Sequence, residues 1–275
     1  MSATVPPLPS APAAPLVPPR ALVAFSALMR RDLRVMRREL PYLLARTLLQ
    51  PLLFTFVFGA LLPRMGYMRA DYGAALLPGI LAISLALSAV QSVALPLVQD
   101  FGATREIEDR LLAPIPTTLL AAQKVAAGAL QGIVAGLVVL PVARLLLGPV
   151  VALGVANVAA VLGVTVLGAV TFSALGLWVG SAISPPQIGF MFSFIVSPLL
   201  IFGCAYYPWR GLDALPALQV AVLANPLTYV SEGMRAAVAP AMPHMPLGVA
   251  LGALAALAVT FWVLGLRSFR RRAFA

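Results

Sequence analysis

The sequence predicts an all-α membrane protein, on three observations. Hydrophobic residues make up 61% of the 275, charged residues only 10%, and mean hydropathy is +0.97. An ordinary soluble globule is nearer to half apolar. Six strongly apolar stretches are each long enough, at about 20 residues, to cross a bilayer as a helix. They run continuously instead of alternating apolar with polar residues, which favours helices over barrel strands, because backbone groups in hydrocarbon must be satisfied within each segment.

Residues 1–20 form a Pro/Ala-rich tail, with seven prolines before Arg20. The tail lacks the basic start and unbroken apolar run of a signal peptide and is expected to be disordered. Residues 21–41 then place Leu22, Phe25, Met29, Leu33, Met36 and Leu40 at spacings of three and four. Arg30, Arg31, Arg34, Arg37 and Arg38 fall on the opposite side of the same helix. An apolar stripe opposed by a basic one predicts an interfacial helix lying in the headgroup plane. Pro41 then permits a sharp turn into the first span.

Residues 42–275 hold the six predicted spans: Tyr42–Leu62, Ala74–Val98, Leu119–Leu147, Asn157–Ala182, Ile188–Ala205 and Leu247–Leu266. An even number of spans puts both termini on one side. Of the 19 basic residues, only Arg64, Arg69, Arg144, Arg210 and Arg235 fall on the opposite face, so both termini are predicted to be cytoplasmic. The net charge of +10 is concentrated beside spans, at the α-helical arginines above and at Arg267, Arg270, Arg271 and Arg272. That placement predicts attraction to anionic membrane lipids and argues against nucleic acid.

Small-xxx-small spacings at Gly128/Gly132/Gly136, Gly176/Gly180 and Gly248/Gly252 predict close helix packing. Gln50, Gln91, Gln131 and Asn157 are expected to hydrogen-bond between helices, or alternatively to line a polar pathway. Between the fifth and sixth spans, Leu215–Leu223 is a short apolar piece. Asn225 is placed to cap a second short helix that begins at Pro226 and runs through Tyr229, Glu232 and Arg235.

Absences narrow the function. A P-loop needs GxxxxGK followed by Ser or Thr, whereas the one lysine, Lys124, sits in AAQKVAAG. The nine acidic residues fall at span ends or outside, which leaves no coupling carboxylate deep in the membrane. His244, the single histidine, has no ligand partners in the pattern, so no metal site is expected. Cys204 rules out an intramolecular disulfide. Asp213 and Glu232 would be candidates for a lipid-modifying enzyme, but no pattern brings them together. What remains is a helical bundle with one strongly charged connection, QDFGATREIEDRLLAPIPTT, and no engine of its own.

The basic entry helix, LPGI at Leu77–Ile80, REIEDRLLAPIP at Arg105–Pro116, YPW at Tyr207–Trp209 and NPLTYVSEGMR at Asn225–Arg235 together resemble the ABC-2 type permeases, the membrane subunits of ATP-binding-cassette exporters. The resemblance covers nearly all of the chain beyond the tail. It implies a half-transporter that pairs with a second permease copy or a homologous one and binds a cytoplasmic ATP-binding-cassette ATPase, with ATP and magnesium on that partner and no cofactor in this chain. It also implies location in the cytoplasmic (inner) membrane.

By the same resemblance, Glu106, Ile107, Glu108, Asp109, Arg110, Leu111 and Leu112 form the coupling helix that docks on the ATPase. Asn225, Pro226, Tyr229 and Arg235 match the extracellular gate region. Phe54, Phe58, Phe190, Phe194 and Phe202 are candidates to line a pathway for an apolar or amphipathic cargo such as a drug, a lipid or a lipid-linked glycan. An integral membrane enzyme acting on lipids and a non-transporting scaffold are the alternatives.

Overall fold

The computed structural model describes residues 18–67, 72–102, 116–147 and 155–273. Among these residues the chain is helical, without strands. Helix α1 spans Pro18–Phe54 and continues through a π-helical segment, Thr55–Leu61, to a last turn at Leu62–Arg64. Helices α2 (Tyr72–Gly102), α3 (Thr117–Leu147) and α4 (Val155–Ala182) follow. A shorter apolar run, α5 (Pro185–Ile201), includes a π-helical turn at Phe192–Val196. Two short helices, α6 (Pro216–Ala221) and α7 (Pro226–Val238), precede the closing helix α8 (Leu247–Ala273).

Among the described residues, four helices are long and apolar enough to cross a membrane: Ala75–Gly102, Thr117–Val142, Val158–Ala182 and Leu247–Ala273. They match the second, third, fourth and sixth predicted spans. Among the described residues the first and fifth predicted spans overlap shorter apolar helices, Leu52–Arg64 and Pro185–Ile201.

One expectation is corrected outright. Pro41 does not turn the chain: α1 runs unbroken from Pro18 to Phe54. A proline inside a helix forgoes one backbone hydrogen bond, a loss that membrane helices tolerate when neighbours and local adjustments compensate.

Helix α2 is the centre of the bundle, packed by α3, α4 and α7, while α8 lies against α4. Its buried side chains, including Leu77, Ile80, Leu81 and Leu85, form the core with Phe172 of α4 and with Leu227 and Val230 of α7. A second cluster joins Leu97 of α2, Leu120 of α3, Leu177 of α4 and Phe269 of α8, with Leu28 of α1 packed against it.

Glycines set the α2 contacts. A Cβ at Gly132 would stand 2.8 Å from the Cβ of Ala89, and one at Gly180 would stand 2.8 Å from the Cα of Ala94. Where no hydrophobic force drives helices together within lipid, such close approach supplies the packing contact. The third predicted ridge is different: among the described residues nothing lies within 4 Å of a Cβ at Gly248 or Gly252, so α8 makes no close approach through that ridge there.

Candidate functional site

The facing surfaces of α1, α2 and α3 line an open cavity of about 460 Å³. Ser88, Gln91, Gln99 and Asp100 come to it from α2, Lys124 and Gln131 from α3, and Arg31 and Asp32 from α1. Ser88 and Asp100 are twelve positions apart on one helix, so the cavity extends about 18 Å along α2. Its walls alternate these polar groups with Met29, Leu33, Met36, Leu95 and Leu130.

The floor lies where α2 ends and α3 begins. Lys124 Nζ donates to Asp100 Oδ2 at 3.1 Å, and both residues are 8% exposed. A pair this buried holds its place only because each charge has the other; an unpaired charge there would be costly. Beside it, Gln123 Nε2 donates to Asp32 Oδ2 at 2.5 Å, which ties α1 to the start of α3. Ser88 Oγ donates to the Gln131 carbonyl at 3.4 Å. The side-chain amides of Gln91 and Gln131 have no hydrogen-bond partner among the described residues. Both residues line the cavity instead. The side chains of Gln50 and Asn157 lie outside the described residues.

A second polar centre lies at the far end of the bundle, around α7. Asn225 caps this helix, its Oδ1 accepting from the Leu227 N–H at 2.9 Å while its Nδ2 donates to the Leu199 carbonyl at 2.8 Å. Pro226 occupies the first turn, where its missing N–H costs nothing. Tyr229 donates its hydroxyl to the Leu223 carbonyl at 2.7 Å. Glu232 and Arg235, both essentially unexposed, form an ion pair one turn apart through Glu232 Oε1 and Arg235 Nη1.

The pair organises the surrounding chain. Glu232 accepts from the Trp209 N–H and the Met245 N–H, each at 2.8 Å. Arg235 Nη2 donates to the carbonyls of Cys204 at 3.0 Å and Tyr207 at 3.3 Å. Burial draws the Arg235 guanidinium below its ordinary range, and the charge of Glu232 opposes that fall. Cys204 adopts a left-handed backbone, φ 51°, a strained state for a residue with a side chain that the bonds from Arg235 help to hold. The same segment presses on the LPGI motif: a Cβ at Gly79 would overlap the backbone carbonyl of Ala205.

The predicted site residues are thus placed unevenly. Asn225, Pro226, Tyr229 and Arg235 converge around α7. Arg30, Arg31, Arg34, Arg37 and Arg38 are exposed along α1, with Phe25, Met29 and Met36 half-buried and Leu33 exposed. Phe54 stacks on Phe58 at 5.5 Å and meets Tyr206 at 5.7 Å. Phe190 and Phe194 stack on each other at 4.5 Å, and these two and Phe202 are exposed on the outside of the chain. None of the five phenylalanines lines the cavity between α1, α2 and α3. The Glu106–Leu112 segment lies outside the described residues. Of the enzyme candidates, Glu232 is engaged as above and Asp213 accepts from Gln219 Nε2 at 2.7 Å.

Sequence reasoning missed Asp32, Asp100 and Lys124 as a set. Partners 24 and 91 positions apart leave no local signal. What could have drawn attention to them is the position of a lysine and an aspartate just inside two apolar helices joined by one connection.

Four long apolar helices packed around a glycine-lined centre, with a polar cavity at one end, define a polytopic α-helical membrane protein. The chain matches the ABC-2 type transporter family over residues 23–239 and belongs to it. It is similar to the inner membrane transport permease YadH of Escherichia coli strain K12, with 28% identity over 224 residues, 77% of this chain and 81% of that protein. The YadH permeases of Escherichia coli O157:H7 and Shigella flexneri match to the same extent.

Proposed function

We propose that this chain is the membrane-spanning permease subunit of an ATP-binding-cassette exporter of the inner membrane, moving an apolar or amphipathic substrate with ATP hydrolysed by a separate partner. The observation that carries the reading is the cavity between α1, α2 and α3 in a chain of the ABC-2 type transporter family. Its floor, the Asp100–Lys124 pair, joins the two helices flanking the charged connection 103–115. A push on that connection would be felt first at the cavity floor. In this reading the chain crosses the membrane six times with both termini cytoplasmic, the two shorter apolar helices completing the count. It works beside a second copy or a homologous permease. Residues 106–112 seat on the ATPase through their charges, which fix register and orientation.

The reading is tested by purifying the chain with the ATPase that accompanies it and reconstituting both in vesicles. Reversing charge with Glu108→Arg and Arg110→Glu uncouples ATP turnover from cargo movement while membrane insertion stays normal. Unchanged transport in the reversed variant, or transport by the chain alone, overturns the proposal.

A further inference from the structure

We propose that the cavity between α1, α2 and α3 binds the zwitterionic polar head of an amphipathic molecule, one carrying an ammonium and an acidic oxyanion close together, while its apolar tail stays among the outward side chains of α1 and α3. The inference rests on the permease reading and deepens it by naming the substrate's charge pattern.

Charge balance comes first. The cavity is lined by two cations, Arg31 and Lys124, and two anions, Asp32 and Asp100. A ligand of net charge entering this neutral, partly dehydrated space would leave one charge uncompensated, and burying an unpaired charge is among the costlier events in a protein. A zwitterion brings no net charge: its oxyanion meets Arg31 and the unspent donors of Lys124, and its ammonium meets the Asp32 carboxylate, with the Asp100–Lys124 pair left in place.

Free hydrogen-bonding capacity comes second. A lysine ammonium has three donors, and Lys124 spends one on Asp100. The amides of Gln91 and Gln131 offer donors and acceptors that no described residue uses. Such groups suit a compact head rich in oxygen and N–H, held by several moderate bonds with no single dominant one.

Shape comes third. A volume of about 460 Å³ falls in the range of small-molecule sites, roughly 300–1,000 Å³. At the rim, Leu33 and Val35 of α1 and Leu130 of α3 are substantially exposed and Tyr42 is 71% exposed. In a lipid-immersed chain this apolar margin is continuous with the acyl region, and a tyrosine at such a margin suits the boundary between headgroups and hydrocarbon. A tail therefore need not enter the protein at all.

The test uses the full chain in dodecyl maltoside, titrated with four dodecyl-chain probes and read by native mass spectrometry. The probes are lysophosphatidylethanolamine, a sulfobetaine, dodecyl phosphate and dodecylammonium. The proposal expects saturable binding of the zwitterions, tighter by about tenfold than of either singly charged probe, and a loss of about tenfold in the Gln91→Leu/Gln131→Leu variant. That double variant leaves the Asp100–Lys124 pair intact, so a folding defect at the ion pair does not enter the result. Equal binding of both zwitterions assigns recognition to the charge pattern; binding of lysophosphatidylethanolamine alone assigns it to a phospholipid head. Equal binding by wild type and variant, preference for a singly charged probe, or a cavity mouth closed by disulfide cross-linking of two copies through Tyr42→Cys overturns it. Because the readout needs neither ATP nor a partner, ATP-driven transport of a differently charged cargo would leave the permease reading standing while this inference fell.

Discussion

The guanidinium carbon of Arg272 lies 4.9 Å from the ring centre of Phe101. Its Nη1 donates at the same time to the carbonyls of Ser181 at 3.1 Å and Ile183 at 2.5 Å. One side chain at the end of α8 thus closes the carbonyl end of α4 and covers the last turn of α2, with Phe269 meeting Phe101 edge-on from the same helix. Three helices are joined where the charged connection departs from α2.

Replacing Arg272 with alanine removes a cation–π contact and two hydrogen bonds to carbonyls that would otherwise lack a donor. The expected loss is about 1–3 kcal/mol, read as a lowered thermal midpoint of the detergent-solubilised chain. Arg272→Lys restores only part of it, because an ammonium lacks the planar fork that reaches a ring and two carbonyls together. Full rescue by lysine would contradict this account.

Removing one member of the Glu232–Arg235 pair strands the other in a dry site. Glu232→Gln and Arg235→Met are each expected to cost about 3–5 kcal/mol. The double variant costs less than their sum, since it leaves no lone charge. A double-mutant cycle on unfolding checks this, and strict additivity would show that the two residues act separately.

Gly79→Ala and Gly248→Ala form a matched pair. At Gly79 the added methyl meets the Ala205 backbone, which has no rotamer by which to escape, so the outer segment around Cys204 is displaced at a cost of about 1–3 kcal/mol. At Gly248 the methyl meets open space and is expected to change the stability of this chain by less than about 0.5 kcal/mol. Thermal unfolding of the two variants side by side separates the cases.

Asn225 has two jobs that substitution can divide. Alanine loses both the cap on α7 and the bond to the Leu199 carbonyl, at about 1–2 kcal/mol. Aspartate keeps the cap but has no N–H for Leu199, so it should loosen the contact with α5 while leaving α7 protected. Amide exchange across residues 226–238 and 197–201 distinguishes the two outcomes.

The sequence carried some of this well. The Asn225 cap with Pro226 after it, and the one-turn spacing of Glu232 and Arg235, are local signals, and the structure contains each of them. The glycine ridges of α3 and α4 were legible as packing surfaces because spacing alone sets which residues share a face. What spacing cannot say is which ridge has a partner, and Gly248/Gly252 meet nothing among the described residues. Helices α3 and α4 are apolar on nearly every side, so periodicity leaves their orientation open, and with it the convergence of Asp100, Lys124 and Asp32. The phenylalanines show the same limit: apolarity gives depth in a bilayer but not direction. Pro41 permits a turn by its chemistry, whereas the helix around it continues.

That continuity has a mechanical result. Pro18–Phe54 is a single helix about 55 Å long, held near its middle by Asp32 on Gln123 and at its end by Phe54 on Tyr206. Because no elbow absorbs a tilt midway, a small swing at either tip is delivered to the opposite one. The cavity between α1, α2 and α3 and the segment gathered by Arg235 thereby share one continuous helix, and a rearrangement of either is passed along it to the other.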